Sequence, residues 1–206
     1  MSNPNPEPPP TGRTRWRRFA LLAVPALLVG AGMLVMTANG SMAASFAVSA
    51  TSFKITADRM EGEGFAQFGS VVVDGEDGEH PVAPAGIEVA KIYNLCQSAV
   101  YETAMGTFTI RISAGTDPDH PVEAENLILD TDDLSGDAVF ENIEIGRDAS
   151  TLDQVTEHQG DSGAFGQQSD TITIDNVKGQ NWAVNAGTFK LHDLKLSIES
   201  GKDECY

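Results

Sequence analysis

From about residue 45 onward, apolar side chains recur at every second position over short stretches. In Thr107-Phe108-Thr109-Ile110-Arg111-Ile112 the apolar residues fall at 108, 110 and 112, on one face of an extended chain. Ile143 and Ile145 flank Glu144, and Thr171-Ile172-Thr173-Ile174 repeats the alternation. Near the C-terminus the apolar positions are 189 and 191, then 194, 196 and 198. That change of parity at His192-Asp193 predicts a β-bulge keeping both halves of the strand toward the core. Gly75, Gly78, Gly115, Gly160, Gly163, Gly166 and Gly201 punctuate the runs as turn or loop residues. No stretch beyond residue 45 carries a sustained helical period, so the pattern predicts an all-β domain over 45–206.

A second pattern overlies the alternation. Asp58-Met60-Gly62-Phe65 has an Asp, an apolar residue, a Gly and a large residue at fixed offsets. The skeleton returns as Asp132-Leu134-Gly136-Val139 and Asp175-Val177-Gly179-Trp182, with a weaker copy at Asn94-Cys96-Ser98-Tyr101. Similarity at steps of 36, 38 and 43 residues predicts one strand–turn–strand unit used four times. The Asp would cap a turn, the Gly would take φ > 0, and the large residue would cover the unit. The unequal steps favour paired hairpins in a curved antiparallel sheet or sandwich over a solenoid.

The N-terminus has a different character. Residues 1–12 are rich in proline and read as a disordered cytoplasmic tail. Arg13, Arg15, Arg17 and Arg18 precede Phe19–Met36, 18 residues without a charge. Basic, then apolar, then small residues is the order of an export signal, and 13–44 reads as a signal peptide or a signal anchor. The length sits between a signal core and a membrane span, and Pro25 would kink a spanning helix. Small-x-small cleavage patterns occur at Ala38-Asn39-Gly40 and Ser41-Met42-Ala43. Cleavage and retention both remain open, so the exported part is either secreted or held at the outer face of the cytoplasmic membrane.

The part after Phe19 has nine Lys and Arg against 29 Asp and Glu, a formal charge of about −20. That opposes nucleic acid or an anionic membrane surface as the partner. The two cysteines, Cys96 and Cys205, would meet an oxidising compartment after export and read as one disulfide.

Candidate chemistry is sparse. Gly160-Asp161-Ser162-Gly163 resembles the setting of a nucleophilic serine, but His80, His120, His158 and His192 stand in no recognisable triad context. The longest loop, Arg147 to Asp170, contains this run and is expected to wander over the surface with little to anchor it. Asp130, Asp132 and Asp133 are a weak alternative for Ca²⁺, without EF-hand spacing. No zinc spacing, P-loop or dinucleotide fingerprint is present, so no cofactor is expected.

The run ASFAVSATSFKITADRMEGEGFAQFG (44–69), Asn94-Leu95-Cys96-Gln97-Ser98 and the cysteine near the C-terminus resemble an uncharacterised actinobacterial family of exported proteins. Its members resemble domains of unknown function, many of which carry the label cholesterol esterase and often neighbour a small multi-span membrane protein. The resemblance thus implies an exported domain, with an envelope or membrane protein as partner. It implies lipid or sterol ester hydrolysis, using Ser162, as one alternative. The leading expectation is a non-enzymatic envelope or secreted protein that binds or scaffolds at the cell surface. A carrier cradling an apolar ligand is the other alternative.

Overall fold

The computed structural model describes Ser49, residues 51–76 and residues 78–206. The tail (1–12) and export segment (13–44) lie outside the described residues. What is described is all-β: β1 (Phe53–Phe68), β2 (Ser70–Val73), β3 (Glu79–Tyr93), β4 (Leu95–Thr103), β5 (Gly106–Ala114), β6 (Val122–Glu141), β7 (Glu144–Asp148), β8 (Phe165–Asn185), β9 (Thr188–Lys190) and β10 (Lys195–Ser200). A single 3-10 turn, Ala149–Thr151, follows β7.

All pairings are antiparallel. β1 pairs with β3, β3 with β6, β6 with β8, and β8 returns to β1. The curved sheet expected from the sequence therefore closes on itself. Ala57, Met60, Phe65, Ile87, Ile92, Val122, Leu127, Ile172 and Ile174 fill the enclosed core. Beyond the start of β1 the ring opens. β4, β5 and β10 run on as a three-stranded sheet, with β10 as its free edge.

Strands this long must bend to close so small a ring, and asparagine supplies the bends. Asn94, Asn126, Asn142 and Asn176 all have φ between 51° and 56°. Left-handed backbone is costly for most residues, but asparagine tolerates it. Asn94, Asn126 and Asn176 each reset the in–out alternation. Ala90 and Ile92 are buried before Asn94, and Leu95 after it; Ala124 before Asn126, and Leu127 after it; Ile172 and Ile174 before Asn176, and Val177 after it. Three of the four donate their side-chain amide to an Asp on the neighbouring strand: Asn94 to Asp58 (3.1 Å), Asn142 to Asp170 (2.7 Å) and Asn176 to Asp137 (3.0 Å).

This corrects the reading of the repeat. Asp58 and Gly62 lie within β1, Asp132 and Gly136 within β6, and Asp175 and Gly179 within β8. None marks a turn between strands. Gly136 alone of the three glycines has positive φ (158°), beside the register shift between Ser135 and Asp137. Gly62 and Gly179 sit in unbroken ladder, so the expected φ > 0 at two of the three is not found. Val139, expected to cover its unit, is exposed. Several of the similar segments meet as a transverse band of bends on adjacent strands. Asp58 bonds to Asn94, and Arg59 grips Asp175 with two hydrogen bonds (2.6 and 3.2 Å).

The parity switch near the C-terminus is present, since Asp193 has φ 54° and separates β9 from β10. Its expected consequence is not: Leu194, Leu196 and Ile198 are exposed. They share the inward face of the sheet, but there the ring has already opened.

Gly62 needs to be glycine for space. A Cβ there would lie 2.6 Å from Ile87 Cγ2 and 2.9 Å from Ile172 Cγ2, in the core. Gly62→Ala should destabilise the protein by about 1–3 kcal/mol through overpacking, read as a lower urea midpoint at unchanged slope.

Candidate functional site

The loop after β7 is better anchored than its composition implies. Asp148 accepts hydrogen bonds from the Ser150 amide (3.0 Å), the Ser150 hydroxyl (2.8 Å) and the Gly163 amide (2.9 Å), which holds its carboxyl below the usual range. Ala149, Leu152 and Val155 are buried and build a small second core with Ala66, against which Phe68 and Ala164 pack. The expectation of a wandering loop is thereby corrected: an apolar residue at every third position gave it a buried face.

Ser162 lies exposed on the outer turn of this loop. His158 is buried instead, its ring 4.8 Å from that of Phe68, with Nε2 donating to the Pro84 carbonyl (3.2 Å). Gly86 makes room for it, because a Cβ there would stand 2.5 Å from His158 Cδ2. His80 is bonded to Asp74 and His120 to Asp117. Among the described residues no histidine is hydrogen-bonded to Ser162.

The carboxylates read as a weak metal alternative are fanned apart. Register shifts fall between Asp130 and Thr131 and between Thr131 and Asp133. Asp132 accepts from Trp182 Nε1 (3.1 Å). Asp130 is partly buried, and burial raises its pKa. No group of three or more ligating side chains with metal-site geometry occurs among the described residues. Asp74, in the acidic 74–79 loop, spends its oxygens on the Glu76 and Gly78 amides and on His80, whose ring stacks on Trp182 at 3.6 Å.

Cys96 and Cys205 are bonded, with 5.9 Å between their Cα atoms. The bond fastens residues 201–206 as a strap over the outer face of β5 and β4. That face is polar, and the strap satisfies it. Thr109 donates to the Gly201 carbonyl (2.8 Å) and accepts from the Asp203 amide (3.0 Å), while Ser98 accepts from the Cys205 amide (3.0 Å). Thr109 and Ser98 are almost wholly buried beneath it. Asp203 pairs with Arg111, and Glu204 with Lys54, each at 3.1 Å.

The opposite face of the same three strands carries the apolar alternation and has no cover among the described residues. Tyr101 and Phe108 stack at 5.4 Å across β4 and β5. Ile110 and Ile112 follow along β5, opposite Ile198 and Leu196 of β10. Leu194, Leu196 and Ile198 are 53%, 61% and 66% exposed, and Met105 at the β4–β5 turn is 98% exposed. The face runs into the mouth of the ring, where Ile55, Leu95, Gln97 and Phe189 border a cavity of about 30 Å³. Exposed apolar surface of this kind is the candidate interaction surface of the domain. Sequence alternation located these residues on one face, but not the lack of a layer over it.

Cys205→Ser should free the strap, expose Thr109 and Ser98, and lower stability by about 2–4 kcal/mol, seen as a reduced thermal midpoint. A pH effect arises from His158, whose pKa burial pushes down. The unfolded chain takes up its proton near the ordinary value of 6.5, while the folded chain resists until a lower pH. Stability is therefore full above about pH 7 and falls as the pH drops through 6.5. His120 has the opposite sign, because Asp117 raises its pKa, and it is exposed. His158→Gln should remove the acid-side loss, measured as a flatter urea midpoint between pH 7.5 and 5.

No curated protein and no solved structure matches the chain. Residues 49–206, the whole of the closed sheet, its open extension and the strap, match a family of unknown function, DUF6230, and the chain belongs to that family.

Proposed function

We propose that this protein is a non-enzymatic, extracytoplasmic binding or scaffolding module that works at the cell surface through the apolar face of β4, β5 and β10. One observation carries this reading. The strap and the disulfide cover the polar face of these strands, and among the described residues nothing covers the apolar face. A core-type alternation exposed to water stabilises nothing in the isolated protein, and it fits a surface that a partner covers.

The disulfide suits an oxidising compartment, and the arginines before Phe19–Met36 suit export across the cytoplasmic membrane. If the apolar segment is retained, only 16 residues separate Met36 from Phe53. That length spans at most ~55 Å. A tether of that length would keep the domain near the membrane's outer surface. A membrane protein with an apolar, weakly charged ectodomain surface is the matching partner. The formal charge of about −20 disfavours nucleic acid and anionic lipid headgroups. Ester hydrolysis through Ser162 draws no support from the geometry around that residue.

A photo-crosslinking residue tests this in the full chain within native envelopes. Placed at Leu196, it should capture a discrete membrane protein; placed at Val139, which is similarly exposed on β6, it should not. Ile198→Asp should abolish the capture while shifting the thermal midpoint by less than a few degrees, as expected for an exposed position. Equal capture at both positions, or none at Leu196, would overturn the reading.

A further inference from the structure

We infer that β10 is a self-complementary edge, through which two copies of this chain pair antiparallel about a two-fold axis at Ser197.

Among the described residues the edge is unpaired. β10 ends the sheet path, bonded to β5 on one side only. Edge strands usually carry a device against pairing: a bulge, a proline, an inward charge or very short length. β7, at the other end, has such devices. It is five residues long, contains Gly146 at φ 87°, and shows a register shift between Ile145 and Arg147. β10 has no bulge and no proline, and of the devices against pairing it carries only charge, Lys195 and Glu199, which are of opposite sign. It pairs with β5 over six consecutive residues without a register shift, and Lys195-Leu196-Ser197-Ile198-Glu199-Ser200 contains no glycine or proline. The strap turns away from this edge, running from Gly201 across Thr109 and Arg111 to Cys96.

The side chains specify what the edge fits. In a two-fold antiparallel pair centred on Ser197, Lys195 of each copy faces Glu199 of the other on the outer face. On the inner face each Leu196 faces the other copy's Ile198. Opposite charges and paired aliphatic residues directly across a ladder both favour pairing. Neighbouring registers lose the match: centring on Leu196 sets Lys195 against Ser197, and centring on Ile198 sets Glu199 against Ser197. Lys195 and Glu199 are both exposed, and neither has an ion-pair partner among the described residues. Lys190 of the preceding strand, by contrast, is taken by Glu123 at 2.9 Å. A heterologous peptide could add to the same edge, but it would not need this palindromic charge pattern.

Pairing joins two three-stranded extensions into one six-stranded sheet and merges their apolar inner faces. The contact is isologous, so it closes at two copies. An edge of six residues buries less than a standard interface, so the dimer is concentration-dependent.

The inference concerns the edge of β10, whereas the proposed partner binds its face, and the two fail separately. In the full chain, Ser197→Cys should give a disulfide-linked dimer on a non-reducing gel, because the two positions meet at the axis. Lys195→Cys and Glu199→Cys should each fail alone and cross-link when the two variants are mixed. By sedimentation in detergent, Lys195→Glu and Glu199→Lys should each weaken self-association by about tenfold or more, since each sets like charges opposite one another twice. The double exchange should restore it to within about threefold. No Ser197 cross-link, equal linkage at all three positions, or single exchanges without effect would overturn the inference. If Ser197 cross-links while Leu196 captures no second protein, self-pairing stands and the partner reading falls; the reverse result separates them the other way.

Discussion

Closure of β1 onto β8 is the constraint on which the rest of the molecule depends. β1 pairs with β3 and β4 along one edge and with β8 along the other. Its pairing with β8 runs from Phe53 to Phe68, the whole length of the strand. A flat sheet of such strands would leave both edges open and one face wet. Rolling it shut buries Met60, Phe65, Ile87 and Ile172 together, but only if the strands bend. Asn94 and Asn176 bend the strands on either side of Asp58, and Asn126 and Gly64 supply left-handed residues nearer the other end of the ring. The cross-strand Asn–Asp hydrogen bonds and the Arg59–Asp175 pair fix the register at these bends, where ladder pairing is weakest. Exposed pairs of this kind contribute little to stability, so their role is positional.

The open extension follows from where β1 starts. Among the described residues no strand precedes Phe53 to pair with the far part of β4, and the ring does not close around β5 and β10. Three strands alone would make a marginal sheet. The strap compensates on the polar side, where Thr109 and Ser98 would otherwise be wet hydroxyls on an exposed face. It also gathers opposite charges: Asp203 and Glu204 lie against Arg111 and Lys54, and the Tyr206 ring lies under the Lys54 and Lys178 ammonium groups. In so acidic a chain, these few cations are drawn to one place.

Part of this was legible in the sequence. Period-two alternation at Phe108–Ile112 and Ile172–Ile174 gave the strands and the all-β class, and two cysteines read together with an expected export signal gave the disulfide. The parity switch at His192-Asp193 marked a true bend. The same signature stood unread at Asn94-Leu95, Asn126-Leu127 and Asn176-Val177, each an asparagine followed by an aliphatic residue that restarts the buried face. Reading Asp-x-apolar-x-Gly as turn chemistry hid it, because Asp and Gly are turn residues by propensity and ladder residues here by packing. Gly62 is small because Ile87 and Ile172 converge over it, a tertiary fact with no local trace. Closure was not legible either, since alternation says which side of a strand is apolar and nothing about which strands meet. For the same reason Leu194, Leu196 and Ile198 were read as core.

The strap also determines what kind of surface the apolar face can be. A three-stranded sheet open on both faces would fray, and its exposed isoleucines and leucines would be an aggregation hazard. Fastening 201–206 across β5 to Cys96 removes that freedom from one side, with a bond that closes a loop of 109 residues. The strands then hold Ile110, Ile112, Leu196 and Ile198 in fixed rows, with few rotamers left to lose when something covers them. A pre-ordered apolar surface loses less entropy on association than a mobile one, so modest area can support useful affinity. The high negative charge elsewhere opposes indiscriminate collapse of one molecule onto another. On the proposed reading, contact would fall where the acidic surface gives way to this ordered apolar sheet and its charge-matched edge.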